Sequence, residues 1–153
     1  MSSLTYLWAA EEKCHATTTA VLADATTIFT VAGGPIQILE LLAVCTVTNV
    51  GTATTLGWSS VPTVGTATAI SGASASLTNC AAGSTVKLTP TALSTAPVIA
   101  LQSAGGVQLG LVAQNHIIVL DGTIRMDVAT ALSTARWYFC LRYKPLTLDA
   151  LVS

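Results

Sequence analysis

The sequence predicts an all-β protein: an antiparallel β-sandwich, jelly-roll-like, with an extended N-terminal arm. Three observations predict it. From Thr26 onward the chain reads as short β-branched runs separated by Gly, Pro and Asn turns. The last third alternates apolar and polar residues with a period of two, as a half-buried strand does. Charge is scarce, at 8% of 153 residues, while 52% are hydrophobic and 5% aromatic, which does not suit a charge-rich helical bundle. The length supports one core. The expected division is an N-terminal arm over residues 1–25 and a β-sandwich domain over 26–153.

The elements follow in order. In the arm, Leu4, Leu7 and Trp8 share one face of a helical repeat, followed by Glu11-Glu12-Lys13. Thr17-Thr18-Thr19 then disfavours helix, because β-branched side chains crowd the preceding turn. Thr26 to Val31 predicts a strand ending at Gly33-Gly34-Pro35. Ile36 to Asn49 predicts the next, with Ile36, Ile38, Leu42 and Val44 on one face and a turn at Asn49-Val50-Gly51. Thr52 to Ser60 is expected to return as its hairpin partner, burying Trp58. Val64 to Ile70 follows Pro62, and the small-residue stretch Ser71 to Ser84 predicts the longest mobile loop. Short strands are expected at Thr85 to Thr89 and Val98 to Gln102, the latter continuing over Val107 to Val112.

Asn115 to Leu120, Asp121-Gly122 and Thr123 to Ala129 read as a hairpin, since Asp-Gly between apolar runs suits a type I′ turn. In Ala135 to Leu146, Trp137, Phe139, Leu141 and Tyr143 share the core face, and Arg136, Tyr138, Cys140, Arg142 and Lys144 share the other. The matched alternation predicts that this strand pairs with Thr123 to Ala129.

Composition excludes several function classes. Six Lys+Arg against seven Asp+Glu leave a net charge of −1, so there is no basic face for nucleic acid. The mean hydropathy of +0.68 raises a membrane protein as a class. A spanning helix needs about 20 apolar residues. The best run, Ile36 to Val50, contains Gln37, Glu40, Thr46, Thr48 and Asn49. Met1 to Ala10 also lacks the basic segment of a secretory signal. No membrane partner is expected. An uncharged surface of this kind is normally covered by partners, which points to an assembly.

Chemistry is sparse. Cys14, Cys45, Cys80 and Cys140 form no metal-binding spacing and are expected as small buried hydrophobes in a reducing compartment, with one or two disulfides as the alternative. His15 and His116 have no partner by spacing, and Asp121 and Asp127 read as a turn residue and a ladder charge. No catalytic residue, cofactor or metal is expected. Arg125, Asp127, Arg136 and Arg142 concentrate much of the charge on two strands expected to be neighbours. They read either as an intersubunit ion-pair patch or as a solvated face of cross-strand pairs.

Two segments resemble small virion structural proteins of tailed bacteriophages: Thr27 to Ile38 (Thr-Ile-Phe-Thr-Val-Ala-Gly-Gly-Pro-Ile-Gln-Ile) and Arg136 to Leu146 (Arg-Trp-Tyr-Phe-Cys-Leu-Arg-Tyr-Lys-Pro-Leu). They bracket a Thr/Ala/Gly-rich middle, and the resemblance covers about half the chain, mostly its two ends. It implies a capsid decoration, or cement, protein that is made in the host bacterial cytoplasm and sits on the capsid surface of the virion. Its partners would be further copies of itself, with a homotrimer favoured, and the major capsid protein. The arm would be the docking element, with Leu4, Leu7, Trp8, Arg125, Asp127, Arg136 and Arg142 as candidate interface residues. The resemblance implies no catalytic residues. The alternatives are a tail or fibre component, or a carbohydrate-binding module using Trp8, Trp58 and Trp137 as stacking platforms.

Overall fold

The computed structural model describes residues 11–17, 20–88, 97–100 and 117–153. Among them there are eleven strands and no helix: β1 (Lys13–Ala16), β2 (Thr26–Ala32), β3 (Ile36–Val47), β4 (Leu56–Pro62), β5 (Thr68–Ala69), β6 (Thr85–Lys87), β7 (Val98–Ala100), β8 (Ile117–Val119), β9 (Gly122–Val128), β10 (Arg136–Pro145) and β11 (Leu151–Val152). One sheet has the order β1-β10-β3-β6-β7, with β8 also paired to β3; the other has the order β11-β2-β9-β4-β5. All pairings are antiparallel, and four of them nest: β1 with β10, β2 with β9, β3 with β8, β4 with β5. The expected antiparallel sandwich is therefore the observed fold.

The core lies between the sheets. Phe29, Leu41, Leu56, Trp58, Ile124, Met126, Trp137, Phe139 and Leu141 are essentially inaccessible. The alternation of β10 is as expected, with Trp137, Phe139, Leu141 and Tyr143 inside.

In β3 the expected face is half right. Ile36 and Ile38 point inward, but so do Leu41, Ala43 and Cys45, while Leu42 and Val44 are only half-buried. Arg142 pairs with Glu40 and Tyr143 with Ile38, so Leu39 is an extra residue opposite β10. Such a bulge shifts every later side chain to the other face.

Three expected pairings are corrected. First, β4 does not return on β3; it pairs with β9 and β5 in the opposite sheet. The link between β3 and β4 crosses the sandwich and is held by Asn49, whose buried amide donates to the carbonyls of Thr52 and Leu77.

Second, Asp121-Gly122 closes no hairpin. β8 pairs with β3, whereas β9 pairs with β2 and β4. A type I′ turn needs positive φ at both central residues. Gly122 has φ +147°, but Asp121 is not in that region. Gly122 is instead needed for close approach, since a Cβ there would meet the carbonyl oxygen of Val61.

Third, β9 and β10 lie in different sheets, with Leu132 buried between them in sequence and its N–H donating to the carbonyl of Leu22. Alternation reports which face a residue takes, not which strand lies alongside.

The arm boundary is corrected too. β1 is the edge strand on β10, Ala20 bridges Trp137, and Leu22 is fully buried. The sandwich thus begins well before Thr26, at least at Lys13. Leu4, Leu7 and Trp8 lie outside the described residues, as do Val107 to Val112.

The stretch expected as a mobile loop is strapped to β4. The hydroxyls of Ser71 and Ser74 accept from the N–H groups of Trp58 and Leu56, and the N–H groups of both serines donate back to the carbonyls of those residues. Serine hydroxyls here replace the carbonyls of a ladder strand, which satisfies the edge without regular strand geometry.

Candidate functional site

The four charged residues expected as one patch are divided between the two outer surfaces. Arg125 and Asp127 stand on β9, in one sheet, and Arg136 and Arg142 on β10, in the other. Asp127 accepts a hydrogen bond from the Ser59 hydroxyl at 3.0 Å. Arg125 lies between Thr27 and Ser59 on the neighbouring strands, and its Nε is buried with no hydrogen-bond partner among the described residues. Arg136 spends one guanidinium nitrogen on the carbonyls of Ser133, Thr134 and Ala135, closing the turn before its own strand. Arg142 sits between Glu12 and Glu40 at 3.9 and 4.0 Å. All three of those side chains are about half exposed, so each pair contributes only a few tenths of a kcal/mol, roughly.

Asp121 and His15 make contacts within the fold. Asp121 accepts the Gly34 N–H at 2.7 Å, while its own carbonyl accepts the Thr63 N–H. His15 packs edge-on to Phe29, with ring centroids 5.9 Å apart, and His116 lies outside the described residues. No group of three or more His, Cys, Asp or Glu that could hold a metal ion occurs among the described residues.

The cysteines divide in two. Cys45 and Cys80 are buried as expected, and burial raises both thiol pKa values; for Cys45 the neighbouring Cys80 raises it further. Cys14 is exposed and Cys140 half-buried, contrary to expectation, because both fall on the outer face of the β1–β10 pair. A side-chain hydrogen bond with Cys140 holds the Tyr138 hydroxyl pKa above the usual phenol value. Trp58 and Trp137 are fully buried, so neither is a stacking platform for a sugar ring.

The two segments that carry the family resemblance meet in space. Ile36, Gln37 and Ile38, the end of the first segment, pair with Pro145, Lys144 and Tyr143 of the second, whereas most of the first segment is β2 in the opposite sheet. At the Ile36 end, the Gly33-Gly34-Pro35 turn docks on the residues that follow β10. The Leu146 N–H donates to the Pro35 carbonyl, and the Thr147 hydroxyl donates to the Gly33 carbonyl. Both glycines have positive φ, and a Cβ on either would collide with Asp149 or Thr147. The Gly-Gly sequence is thus required by the contact as well as by the turn.

Sequence reasoning missed one surface feature. A groove of about 340 Å³ opens between β8 and the β4–β5 hairpin, where the edges of the two sheets face each other. Pro62, Val64, Ile70, Ile117, Ile118 and Leu120 supply its apolar lining, and no charged residue lines it. Val64 is 85% exposed, Ile118 62% and Leu120 55%. The signal was the run Ile117-Ile118-Val119-Leu120: a strand cannot bury four successive apolar residues against one core.

Compared with protein-family models, curated proteins and solved structures, the chain finds no match.

Proposed function

We propose that this chain is a non-enzymatic virion structural protein: a capsid decoration, or cement, protein that binds a phage head as a homo-oligomer, a trimer for preference. The observation that carries the reading is the contact between the two resembling segments. They touch at one end, where Ile36 to Ile38 pair with Pro145 to Tyr143 and the glycine turn sits on Thr147 and Asp149, while the rest of the first segment is β2 in the opposite sheet. The nested pairing of the strands supports a jelly-roll reading, with β6, β7 and β11 as additions. Low charge and exposed apolar side chains at one sheet edge support a surface meant to be covered. Major capsid protein is the partner in this reading, and the virion surface the location.

Binding many copies to an assembled shell stabilises it by linkage, because the bound form is favoured over the dissociated one. The test compares particles made with and without the protein. The expected result is a higher melting temperature for decorated particles and label on the head in electron micrographs. Equal melting temperatures, with the purified protein monomeric by light scattering, overturn the reading. Label on the tail replaces it with a tail or fibre component.

A further inference from the structure

The outer face of the β1–β10 pair gathers two of the four cysteines. Cys14 stands directly opposite Arg142, and Ala16 directly opposite Cys140, so the two cysteines are diagonal neighbours on one face. Cys14 is exposed and Cys140 half-buried. Tyr138 shares that face, two residues before Cys140. Its hydroxyl is in a side-chain hydrogen bond with Cys140, and Cys14 lies near enough to act on the same hydroxyl. Two thiols and a phenol thus converge at the edge of this sheet. We infer that Cys14 and Cys140 form a two-coordinate binding site for a thiophilic monovalent cation, Cu(I) by its chemistry. The inference does not depend on the virion reading.

Separation favours a metal bridge over a disulfide. Diagonal neighbours across an antiparallel pair lie about 7 Å apart. A disulfide needs Cβ atoms within roughly 4.5 Å and sulfurs about 2 Å apart. Two metal–thiolate bonds of about 2.3 Å each hold the sulfurs up to about 4.6 Å apart, which suits the wider diagonal. Ala16, opposite Cys140 on one side, adds only a methyl beside the bridge, and half-buried Leu42 on the other side gives it an apolar flank. Ligand number then selects the ion. Structural zinc takes four N or S ligands, and no group of three or more His, Cys, Asp or Glu suited to a metal occurs among the described residues. His15 packs against Phe29 instead. Soft thiolates select Cu(I), which accepts two of them in a line. On binding, two Cu–S bonds form, both thiol protons pass to solvent, and no electron is transferred. The bis-thiolate complex carries one negative charge. Arg142, opposite Cys14, supplies a counter-charge that it also shares with Glu12 and Glu40.

The test uses the full reduced chain without air, with Cu(I) supplied as its coloured bicinchoninate complex. Each chain should take up one Cu(I), read as loss of that colour. Cys14→Ser and Cys140→Ser should each abolish the uptake, with circular dichroism unchanged because neither thiol is in the core. A Cys45→Ala, Cys80→Ala variant should keep it. Tyr138→Phe should weaken binding roughly tenfold, as the loss of a hydrogen bond to a metal ligand does. No uptake by the parent chain, uptake that survives either serine substitution, or uptake lost with Cys45 and Cys80 overturns the inference. So does one Cu(I) shared between two chains, which light scattering would report as a copper-dependent dimer. A Cys14–Cys140 disulfide formed in air by the copper-free chain would overturn the argument from separation and the inference with it.

Discussion

The two sides of β3 differ sharply. Along one side β10 pairs with it from end to end, interrupted by bulges and closed by the glycine turn. Along the other, β8 reaches only Ile36–Ile38 and β6 only Leu42–Val44. The first side buries an unbroken apolar row, including Trp137, Phe139 and Leu141. The second leaves Ile118 and Leu120 in solvent beside the groove. The contrast separates what folds the chain from what is free to bind. A complete ladder uses up its apolar residues internally, whereas a partial one leaves some to a partner.

The comparison is open to attack by substitution, and the largest effect is expected on the β10 side. Phe139→Ala should cost about 3–5 kcal/mol in chemical denaturation, since the ring is fully buried. A loss below about 1 kcal/mol would place that face in water.

Next come the glycines. Gly33 and Gly51 have nearly the same φ, +77° and +74°, but a Cβ at Gly33 meets the Asp149 backbone, while at Gly51 it meets nothing within 4 Å. Gly51→Ala should cost about 1 kcal/mol of backbone strain. Gly33→Ala should cost at least about 1 kcal/mol more, because the collision with Asp149 adds to that strain. Equal losses would show that the turn yields freely.

A smaller effect is expected from the buried thiols. Their folded pKa values lie above the ordinary 9.0, so the fold favours the neutral form. Their contribution is therefore fully present below about pH 9 and declines as rising pH ionises the unfolded thiols, until the folded ones ionise too. Melting temperatures should fall more steeply above pH 9 in the parent than in a Cys45→Ala, Cys80→Ala variant. In the native protein, Cys14 should be alkylated at once and Cys45 and Cys80 only on unfolding. The smallest change is expected at Arg142→Ala, within about 0.5 kcal/mol, because its carboxylate partners are solvated. A larger loss would mean that β1 depends on that ion pair.

Fold class, the faces of β10 and the burial of Trp58 were legible in the sequence. Period-two alternation and β-branched composition are local properties, and a strand shows them wherever it lies. The register, the sheet assignment and the neighbours were not legible. Leu39 reads like any other residue of its apolar run, yet as a bulge it turns Leu42 and Val44 outward. Asp121-Gly122 carries a hairpin's letters, but Asp121 lacks the required positive φ, so the chain changes sheets instead of reversing. The same limit applies to the candidate site: Arg125 and Asp127 were placed beside Arg136 and Arg142 only because their strands were assumed to pair. The apolar letters of Ile118 and Leu120 were visible, but their exposure depends on how β8 lies against β3, with Ile118 opposite Gln37 on the face away from the core. Sequence by itself determined that strands form and which residues each can bury, because those choices rest on propensity and side-chain periodicity. Only the tertiary structure decided which strands meet and which apolar side chains remain uncovered, because pairing is settled by contacts between residues far apart in the chain.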